Sequence, residues 1–121
     1  MNSDKKYGFS AEKRIKKAKE FQYIQKFGTK LFSKQFLLIY TENNLEHSRL
    51  GLVVSKKVSK RAVKRNFIKR RLKEIFRLSQ NEFIKPIDLV IIARKESLNL
   101  SYDEFERQIL GTLKFKKLIL K

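Results

Sequence analysis

The chain has no cysteine and a single histidine, His47, among its 121 residues. Without cysteine there are no disulfides, no zinc thiolates and no cysteine nucleophiles. One histidine in a predicted turn argues against both a metal site and a serine triad. With only four glycines, the sequence contains neither a GxxxxGK[ST] nor a GxGxxG phosphate loop. These absences argue against the common enzyme chemistries.

Acidic residues are also few, with 12 Asp and Glu against 30 Lys and Arg, which gives a formal net charge of +18. The acids cluster in a predicted turn and at the start of the last predicted helix. They do not form the spaced carboxylate set that two-metal phosphoryl chemistry needs. The excess of positive charge favours binding to phosphate backbones. The chain therefore shows no catalytic apparatus of its own.

No apolar run approaches the ~20 residues of a membrane-spanning helix. The first ten residues, MNSDKKYGFS, lack the apolar segment of a signal peptide. No lone amphipathic anchor stands out, so a membrane surface is a weaker hypothesis than a nucleic acid. We expect a cytoplasmic protein that does not associate with membranes.

Positive charge is concentrated in residues 56–77, KKVSKRAVKRNFIKRRLKEIFR, which hold eleven Lys or Arg and one acid. Strong helix formers dominate from about Arg61 onward, and Ser59 stands where an N-cap would be useful. At ~100° per residue, one side of this predicted helix is apolar. That side carries Ile68, Leu72, Ile75 and Phe76. A second stripe faces away and carries Asn66, Arg70, Lys73 and Arg77, bordered by Lys69.

A charged helix face is often only a solvated surface. Solvated faces usually intersperse Glu with Lys at i,i+4 spacing, because like charges at that spacing repel each other. Here Glu74 is the only acid among the cations. The pattern therefore favours neutralisation by a nucleic acid over solubility alone.

Two more helices are predicted. The first covers 11–27, with Ser10 as its N-cap and Gly28 as its end. Ser101 and Glu104 have the spacing of a capping box that opens the last helix.

Three stretches have the apolar pattern of strands: 30–41, 50–55 and 88–94. The first two are predicted to be joined by a hairpin connection over 42–48. The third is the most apolar, so it is predicted to be central in the sheet. Because the basic helix separates it from the second, the two could be parallel, as a βαβ unit. The fold class is α+β, in the order α-β-β-(β)-α-β-α, with a small mixed sheet packed with helices as in ribosomal-protein-like sandwiches. We expect one RNA-binding domain over 1–121, in which 1–9 form a flexible lead.

Three classes of function are open at this point. An RNA-binding subunit of a ribonucleoprotein would use the basic helix against phosphates. A DNA-binding protein would place that helix in a major groove, but neither helix-turn-helix spacing nor a heptad dimer seam accompanies it. An independent nuclease would need the acid cluster that is missing. The residues alone favour RNA binding.

The basic stretch also carries a specific set of motifs, namely GLVVSKKV at 51–58, AVKRN at 62–66 and IKR at 68–70. Weaker matches are RIKK at 14–17, EF at 20–21 and DLVIIARK at 88–95. Over about residues 12–118, the chain closely resembles the bacterial ribonuclease P protein component. That family carries a strand ending in Ser-Lys-Lys, then Ala-Val, then an Arg-Asn-Arg signature followed by Lys-Arg.

The resemblance implies a fold and a function. The fold includes a left-handed βαβ crossover, although such connections are right-handed in about 98% of cases. The function is that of the non-catalytic protein subunit of ribonuclease P, whose RNA subunit, with Mg²⁺, hydrolyses precursor tRNA and releases the 5′ leader. The implied partners are ribonuclease P RNA and precursor tRNA. No protein partner and no cofactor bound by the protein alone are expected. The alternative is another small basic ribosomal or RNA-chaperone protein.

The resemblance also implies two sets of contact residues and no catalytic residue. The signature helix and the corner before it would bind the catalytic RNA through Lys56, Lys57, Lys60, Arg61, Lys64, Arg65, Asn66, Lys69, Arg70, Lys73 and Arg77. A cleft between the sheet and the helices would hold the single-stranded leader through Phe21, Arg14, Lys17, Leu37 and Ile39. Core packing is the alternative role of Phe21, and it is the role that we favour for Leu37 and Ile39. Which cation meets which RNA is left open.

Two positions depart from the family signature. Phe67 stands where the third signature residue is Arg, and Lys73 stands where Arg is usual. Phe67 lies between the apolar and basic stripes, so it either packs sideways, which we favour, or stacks on a base or sugar. Lys73 keeps the charge but loses bidentate geometry toward phosphate.

Overall fold

A computed structural model describes residues 11–120 of the protein. The helices are α1 (Ala18–Phe27), α2 (Ala62–Ser79) and α3 (Tyr102–Phe115), and the strands are β1 (Thr29–Phe32), β2 (Phe36–Glu42), β3 (Arg49–Val53) and β4 (Ile87–Ala93). Single 3-10 turns occur at Ala11–Lys13, Gln80–Glu82 and Lys95–Ser97. This order of elements and the mixed sheet confirm the predicted α+β class.

The four strands form one sheet in the order β1-β2-β4-β3. β2 is antiparallel to both β1 and β4, whereas β3 and β4 are parallel and are connected through α2. β4 is therefore central, as its apolar sequence predicted, and parallel to β3, as the intervening helix suggested. The hairpin predicted between β2 and β3 is wrong, because β4 lies between them. The connection passes the start of β4, where the Ser48 hydroxyl accepts a hydrogen bond from the Ile87 N–H at 3.0 Å.

Helices pack on both faces of the sheet, and β4 is buried at nearly every position, which explains its apolar sequence. One face packs against α2 and α3 in the main core, to which β4 contributes Leu89 and Ile91. The other face packs against α1 and the segment before it. This smaller cluster consists of Ile15, Ile24, Ile39 and Val90. The protein thus has three layers, with one helix on one side of the sheet and two on the other.

The first helix is shorter than predicted. Residues 14–17 are extended, and the Ile15 N–H donates to the Leu50 carbonyl oxygen at 3.0 Å, alongside the outer edge of β3. α1 therefore begins only at Ala18, and Lys17 is an N-cap that forms no side-chain cap hydrogen bond.

Ile15 and Ile24 both lie within the range predicted as one helix, 11–27. Both side chains are indeed buried in the smaller cluster, but they reach it from different backbone conformations. The end of the helix at Gly28 is confirmed. Ser10, the predicted N-cap, and the predicted lead of residues 1–9 lie outside the described residues.

The capping box at the start of α3 is confirmed. The Ser101 hydroxyl accepts from the Glu104 N–H at 3.2 Å, and the Ser101 N–H donates to Glu104 Oε1 at 2.8 Å. These hydrogen bonds, with a contribution from the charge of Arg107, hold the pKa of Glu104 below its ordinary value. The inward face of α3 is buried through Phe105, Ile109 and Leu113.

Candidate nucleic-acid interface

The turn that leads into α2 is held by Arg65. Its Nη1 donates to the carbonyl oxygens of Ser59 at 2.9 Å and Lys60 at 3.0 Å. The prediction of Ser59 as the N-cap is wrong, because Arg61 occupies that position. The Ser59 hydroxyl instead accepts from the Arg61 N–H at 3.2 Å. Arg65 therefore has a structural role in addition to its charge.

α2 separates an apolar face from a basic face, as its sequence predicted. The buried residues of the helix include the four of the apolar stripe: Ile68, Leu72, Ile75 and Phe76. Asn66, Arg70 and Lys73 are exposed on the opposite face, and Lys69 and Arg77 are half-buried. The other cations of this region are exposed as well, except for the half-buried Arg65: Lys56, Lys57, Lys60, Arg61 and Lys64.

The only acid of this stretch is already neutralised. Glu74 Oε2 lies 2.7 Å from Arg77 Nη2, and the hydrogen bonds from Arg77 hold the pKa of Glu74 below its ordinary value. Arg70 and Lys73 form no ion pair with a carboxylate of residues 11–120. The basic face of α2 is therefore positive without internal compensation at these positions.

A row of apolar side chains crosses the sheet on the face that carries α1. The row runs in register over all four strands and consists of Phe32, Leu37, Ile92 and Val53. Strand alternation places these four side chains on the same face. All of them are at least partly exposed, and Phe32 is 70% exposed. We call this row the open strip, because α1 covers the neighbouring row and leaves this one uncovered.

The two strand residues predicted for the cleft differ in position. Leu37 belongs to the open strip. Ile39, two residues further along β2, is 1% exposed and packs with Ile24 of α1. Of the pair, only Leu37 offers surface to a ligand, and Ile39 has the alternative role in the core. The sequence did not reveal the neighbours of Leu37, because strand order and register place them there.

Phe21 forms a wall of the open strip, directly above Gly51 of β3. A Cβ atom at Gly51 would lie 2.7 Å from Cζ and 2.8 Å from Cε1 of the phenyl ring. Glycine at this position thus allows the ring to approach the strand closely. The ring borders a hollow of about 190 Å³ that is also lined by Arg14, Lys16, Lys69 and Lys73. Two cations from the segment before α1 and two from α2 therefore lie beside the same aromatic ring.

One ion-pair network fixes α1 against the sheet. Arg49 of β3 binds both carboxylate oxygens of Asp88 in β4, at 2.8 Å from Nε and 2.6 Å from Nη2. Its Nη1 reaches Glu20 of α1 at 3.2 Å. The hydrogen bonds to Asp88 raise the pKa of Arg49 well above its ordinary value. At the start of α1, Lys17 is exposed and its carbonyl oxygen accepts from the N–H of Glu20 at 3.0 Å. The network sets the position of α1 relative to the open strip.

A second aromatic site, formed by Phe67 and Arg71 on α2, was not predicted from the sequence. Phe67 is 46% exposed, and the guanidinium carbon of Arg71 lies 4.4 Å from its ring centre. Nε and Nη1 of Arg71 are buried without a hydrogen-bond partner in the described part of the chain. Phe67 and Arg71 line a shallow pocket of about 350 Å³ with Arg70, Glu74 and Tyr102. Phe67 packs sideways, as favoured above, but half of its surface stays accessible. The i,i+4 spacing of Phe67 and Arg71 was the available signal.

Within residues 11–120, no group of three or more His, Cys, Asp and Glu side chains is placed to hold a metal ion. No helix in that range is long and apolar enough to cross a membrane. What the structure does present is a rigid basic helix face next to an open apolar strip flanked by cations. These features define an RNA-binding protein of the α+β class.

Comparison with known proteins identifies the family. The sequence model of the ribonuclease P family matches residues 9–117. A ribonuclease P protein component of Streptococcus pneumoniae is 40% identical over 105 residues, which cover 87% of this chain and 85% of that protein. The structure of the Staphylococcus aureus RNase P protein matches with a TM-score of 0.82 at 33% identity, covering 89% of this chain and 98% of that one. The RNase P protein from Thermotoga maritima matches with a TM-score of 0.77 at 31% identity, over 84% of this chain and 96% of that one.

The chain belongs to the ribonuclease P protein family. This confirms the function that the signature motifs implied: the chain is a protein component of bacterial ribonuclease P, the endoribonuclease complex that matures the 5′ ends of tRNA. The alternative of a ribosomal or RNA-chaperone protein is not favoured. Phe67 and Lys73 depart from the signature within the matched range without weakening this assignment.

Proposed function

We propose that the basic face of α2 binds the catalytic RNA of ribonuclease P and that the open strip beside α1 receives the 5′ leader of precursor tRNA. The protein thereby aids substrate binding and the Mg²⁺-dependent removal of the leader by the RNA subunit. It does so in the cytoplasm, where bacteria make precursor tRNA, and it requires no further protein partner.

The basic face of α2 suits a folded RNA. Its cations project from one helix that the main core holds rigid, so their spacing is fixed. Structured RNA is bound mostly through shape, phosphates and 2′-hydroxyls, which such a face contacts without base-specific readout. Arg70, Lys73 and the half-buried Lys69 are the central residues of this proposed contact. Lys56, Lys57, Lys60, Arg61, Lys64, Asn66 and Arg77 extend it along the turn and the helix.

The open strip suits a single strand of variable sequence. Three strand spacings of ~4.8 Å give it a length of ~14 Å from β3 to β1. Its apolar floor and the ring of Phe21 offer stacking and contact surface that does not discriminate between bases. Arg14 and Lys17 supply charge for the backbone at the α1 side.

One observation carries the proposal: the hollow beside Phe21 joins the two surfaces. Lys69 and Lys73 of α2 line it together with Arg14 and Phe21. A leader strand that leaves the catalytic RNA at α2 therefore enters the open strip at the β3 edge. The protein can hold both RNAs side by side at this point.

Mg²⁺ belongs to the RNA in this proposal. Mg²⁺ prefers hard oxygen ligands and is commonly held by phosphates, which the RNA supplies in abundance. The residues described here offer no carboxylate cluster that fits it. The protein contributes by placing the substrate and by lowering phosphate repulsion where the two RNAs meet.

The test is cleavage of precursor tRNA at low Mg²⁺ by a bacterial ribonuclease P RNA, with and without the protein. Stimulation by the wild-type protein should fall about tenfold or more in Arg70→Ala/Lys73→Ala, and the slope of log affinity against log salt should fall by about 1 per removed charge. Arg65 is a poor target, because Arg65→Ala would also release the turn before α2. Lys85→Ala, an exposed cation before β4, is the matched control.

A second variant isolates the leader. Leu37→Asp places a negative charge in the open strip and should weaken binding of precursor tRNA but not of mature tRNA. Equal loss for both tRNAs would contradict the assignment of the strip. Full stimulation by Arg70→Ala/Lys73→Ala would contradict the assignment of α2, and cleavage by the protein alone would reveal an unrecognised active site.

A further inference from the structure

A second groove lies on the other side of β1, between that strand and the C-terminal half of α3. It encloses about 510 Å³. Two phenyl rings stand at its walls: Phe32 of β1 is 70% exposed and Phe115 of α3 is 83% exposed. Rings this exposed contribute little to the core, so their faces are available to a ligand.

The charges of the groove have one sign. The charged side chains that line it are Lys30, Arg107 and Lys116. The positive charge of Arg107 also acts on Glu104, one turn earlier in α3, and helps to lower the pKa of that carboxyl group. Lys30 and Lys116 form no ion pair with a carboxylate of residues 11–120. Cations interleaved with exposed aromatic rings are the composition that single-stranded nucleic acid binds.

The groove continues the open strip. Phe32 ends the strip at β1 and is also a wall of the groove. β1 is the edge of the sheet and pairs only with β2 in the described part of the chain. A strand that crosses the strip from β3 to β1 therefore reaches the edge at Phe32, and the groove lies directly beyond it.

We propose that the groove between β1 and α3 binds the more 5′ nucleotides of a long leader, after the leader has crossed the open strip. This rests on the proposed function of the strip. The bases stack on Phe115 and Phe32, and Lys30, Arg107 and Lys116 contact the backbone. A free β-strand edge can instead pair with a strand of another protein. The uniform positive charge and the exposed rings favour RNA.

Gly111 allows a clean test. It is an exposed residue of α3 on the groove, and a Cβ atom added there meets nothing within 4 Å. A Cβ atom at this position therefore displaces no protein atoms, and both Glu and Gln favour the helix over glycine. Gly111→Glu adds bulk and a repelling charge, and Gly111→Gln adds the same bulk without the charge.

The experiment measures how tightly the complex of protein and catalytic RNA binds three substrates under conditions that slow cleavage. These are tRNA without a leader, with a leader of about 4 nucleotides and with a leader of about 16 nucleotides. Phe115→Ala should weaken binding of the long leader about fivefold or more. Gly111→Glu should weaken it more than Gly111→Gln. Lys116→Ala should lower the salt slope by about 0.7 for the long leader only.

The three substrates separate the two proposals. For the wild-type protein, a first rise in affinity, from tRNA without a leader to the short-leader substrate, should come from contacts with the strip. A second rise, from the short-leader to the long-leader substrate, should come from contacts with the groove. If the first rise is missing, the function proposed for the strip fails. If the first rise is present but the second is missing, or persists in all groove variants, the groove proposal is overturned. Loss of self-association in Gly111→Glu with unchanged leader binding would overturn it in favour of a protein partner.

Discussion

Gly51→Ala should move the aromatic wall of the open strip while leaving the backbone of β3 unchanged. Gly51 does not have a positive φ, so alanine fits its conformation. The new Cβ would lie 2.7 Å from Phe21 Cζ, whereas ordinary contacts begin at 3.4 Å. The ring must therefore retreat by at least about 0.7 Å. Ile15, at 3.4 Å, can remain in place.

The expected loss of stability is modest. Overpacking a core usually costs about 1–3 kcal/mol, and the half-buried ring of Phe21 can yield toward solvent, so we expect about 1 kcal/mol. Affinity for precursor tRNA should fall by about fivefold, a free-energy change of similar size, since the displaced ring no longer offers its stacking surface. Urea denaturation with an unchanged m-value measures the first effect, and leader-dependent affinity measures the second.

A double-mutant cycle with Phe21→Ala decides whether the clash is the cause. Without the ring, Gly51→Ala should become stabilising by about 0.5 kcal/mol, because alanine loses less backbone entropy than glycine on folding. The coupling between the two positions is then about 1.5 kcal/mol. A similar loss of stability in both backgrounds, or no loss in the wild-type background, would refute the reasoning.

Three further outcomes follow from the described contacts. Asp88→Asn should destabilise the protein by about 2–3 kcal/mol in urea denaturation, because it removes the negative charge of the main partner of the largely buried Arg49; a change below about 0.5 kcal/mol would show that solvent compensates for the lost charge. Ser101→Ala should cost about 1 kcal/mol through loss of the α3 cap, while Ser101→Asp, which can still cap, should cost much less. Glu104→Gln should lower the melting temperature at neutral pH but not in strong acid. The folded-state pKa of Glu104 is lowered, so its contribution is present above the ordinary carboxyl pKa and disappears as the pH falls through the folded value. A difference in melting temperature between wild type and Glu104→Gln that persists in strong acid would contradict this role of the Glu104 charge.

Segments whose sequence encodes a local rule were predicted well. The buried and exposed stripes of α2 follow from helical periodicity, and the capping box of α3 follows from the spacing of Ser101 and Glu104. The central position of β4 follows from a sequence that is apolar on both faces. In each case, the residues that specify the structure lie within one element.

Features that depend on partners distant in the chain were not predicted. Residues 14–17 are extended because the Ile15 N–H donates a hydrogen bond to the Leu50 carbonyl oxygen, a contact that no local sequence pattern reveals. The open strip needs the strand order and register that bring Leu37 beside Ile92. Arg71 was missed for another reason: its i,i+4 spacing from Phe67 is a weak signal among so many cations, and its contacts with Tyr102 and Phe105 depend on how α3 packs. The site's charge could thus be predicted, but its shape could not.

The central position of β4 also has a consequence for synthesis of the protein. β4 is the last strand in the chain, yet it fills the slot between β2 and β3 and pairs Ile87 with Glu42. While the chain emerges from the ribosome, α2 is complete before the sheet that covers its apolar face exists. Pairings over such long sequence separations form slowly, because loop closure precedes any compensating contact. The newly made basic segment therefore stays accessible to other polyanions until β4 has been made. Chains that end before Ile87 keep the β1–β2 pair but lack the strand that joins β3 to it, so the sheet that α2 packs against stays incomplete.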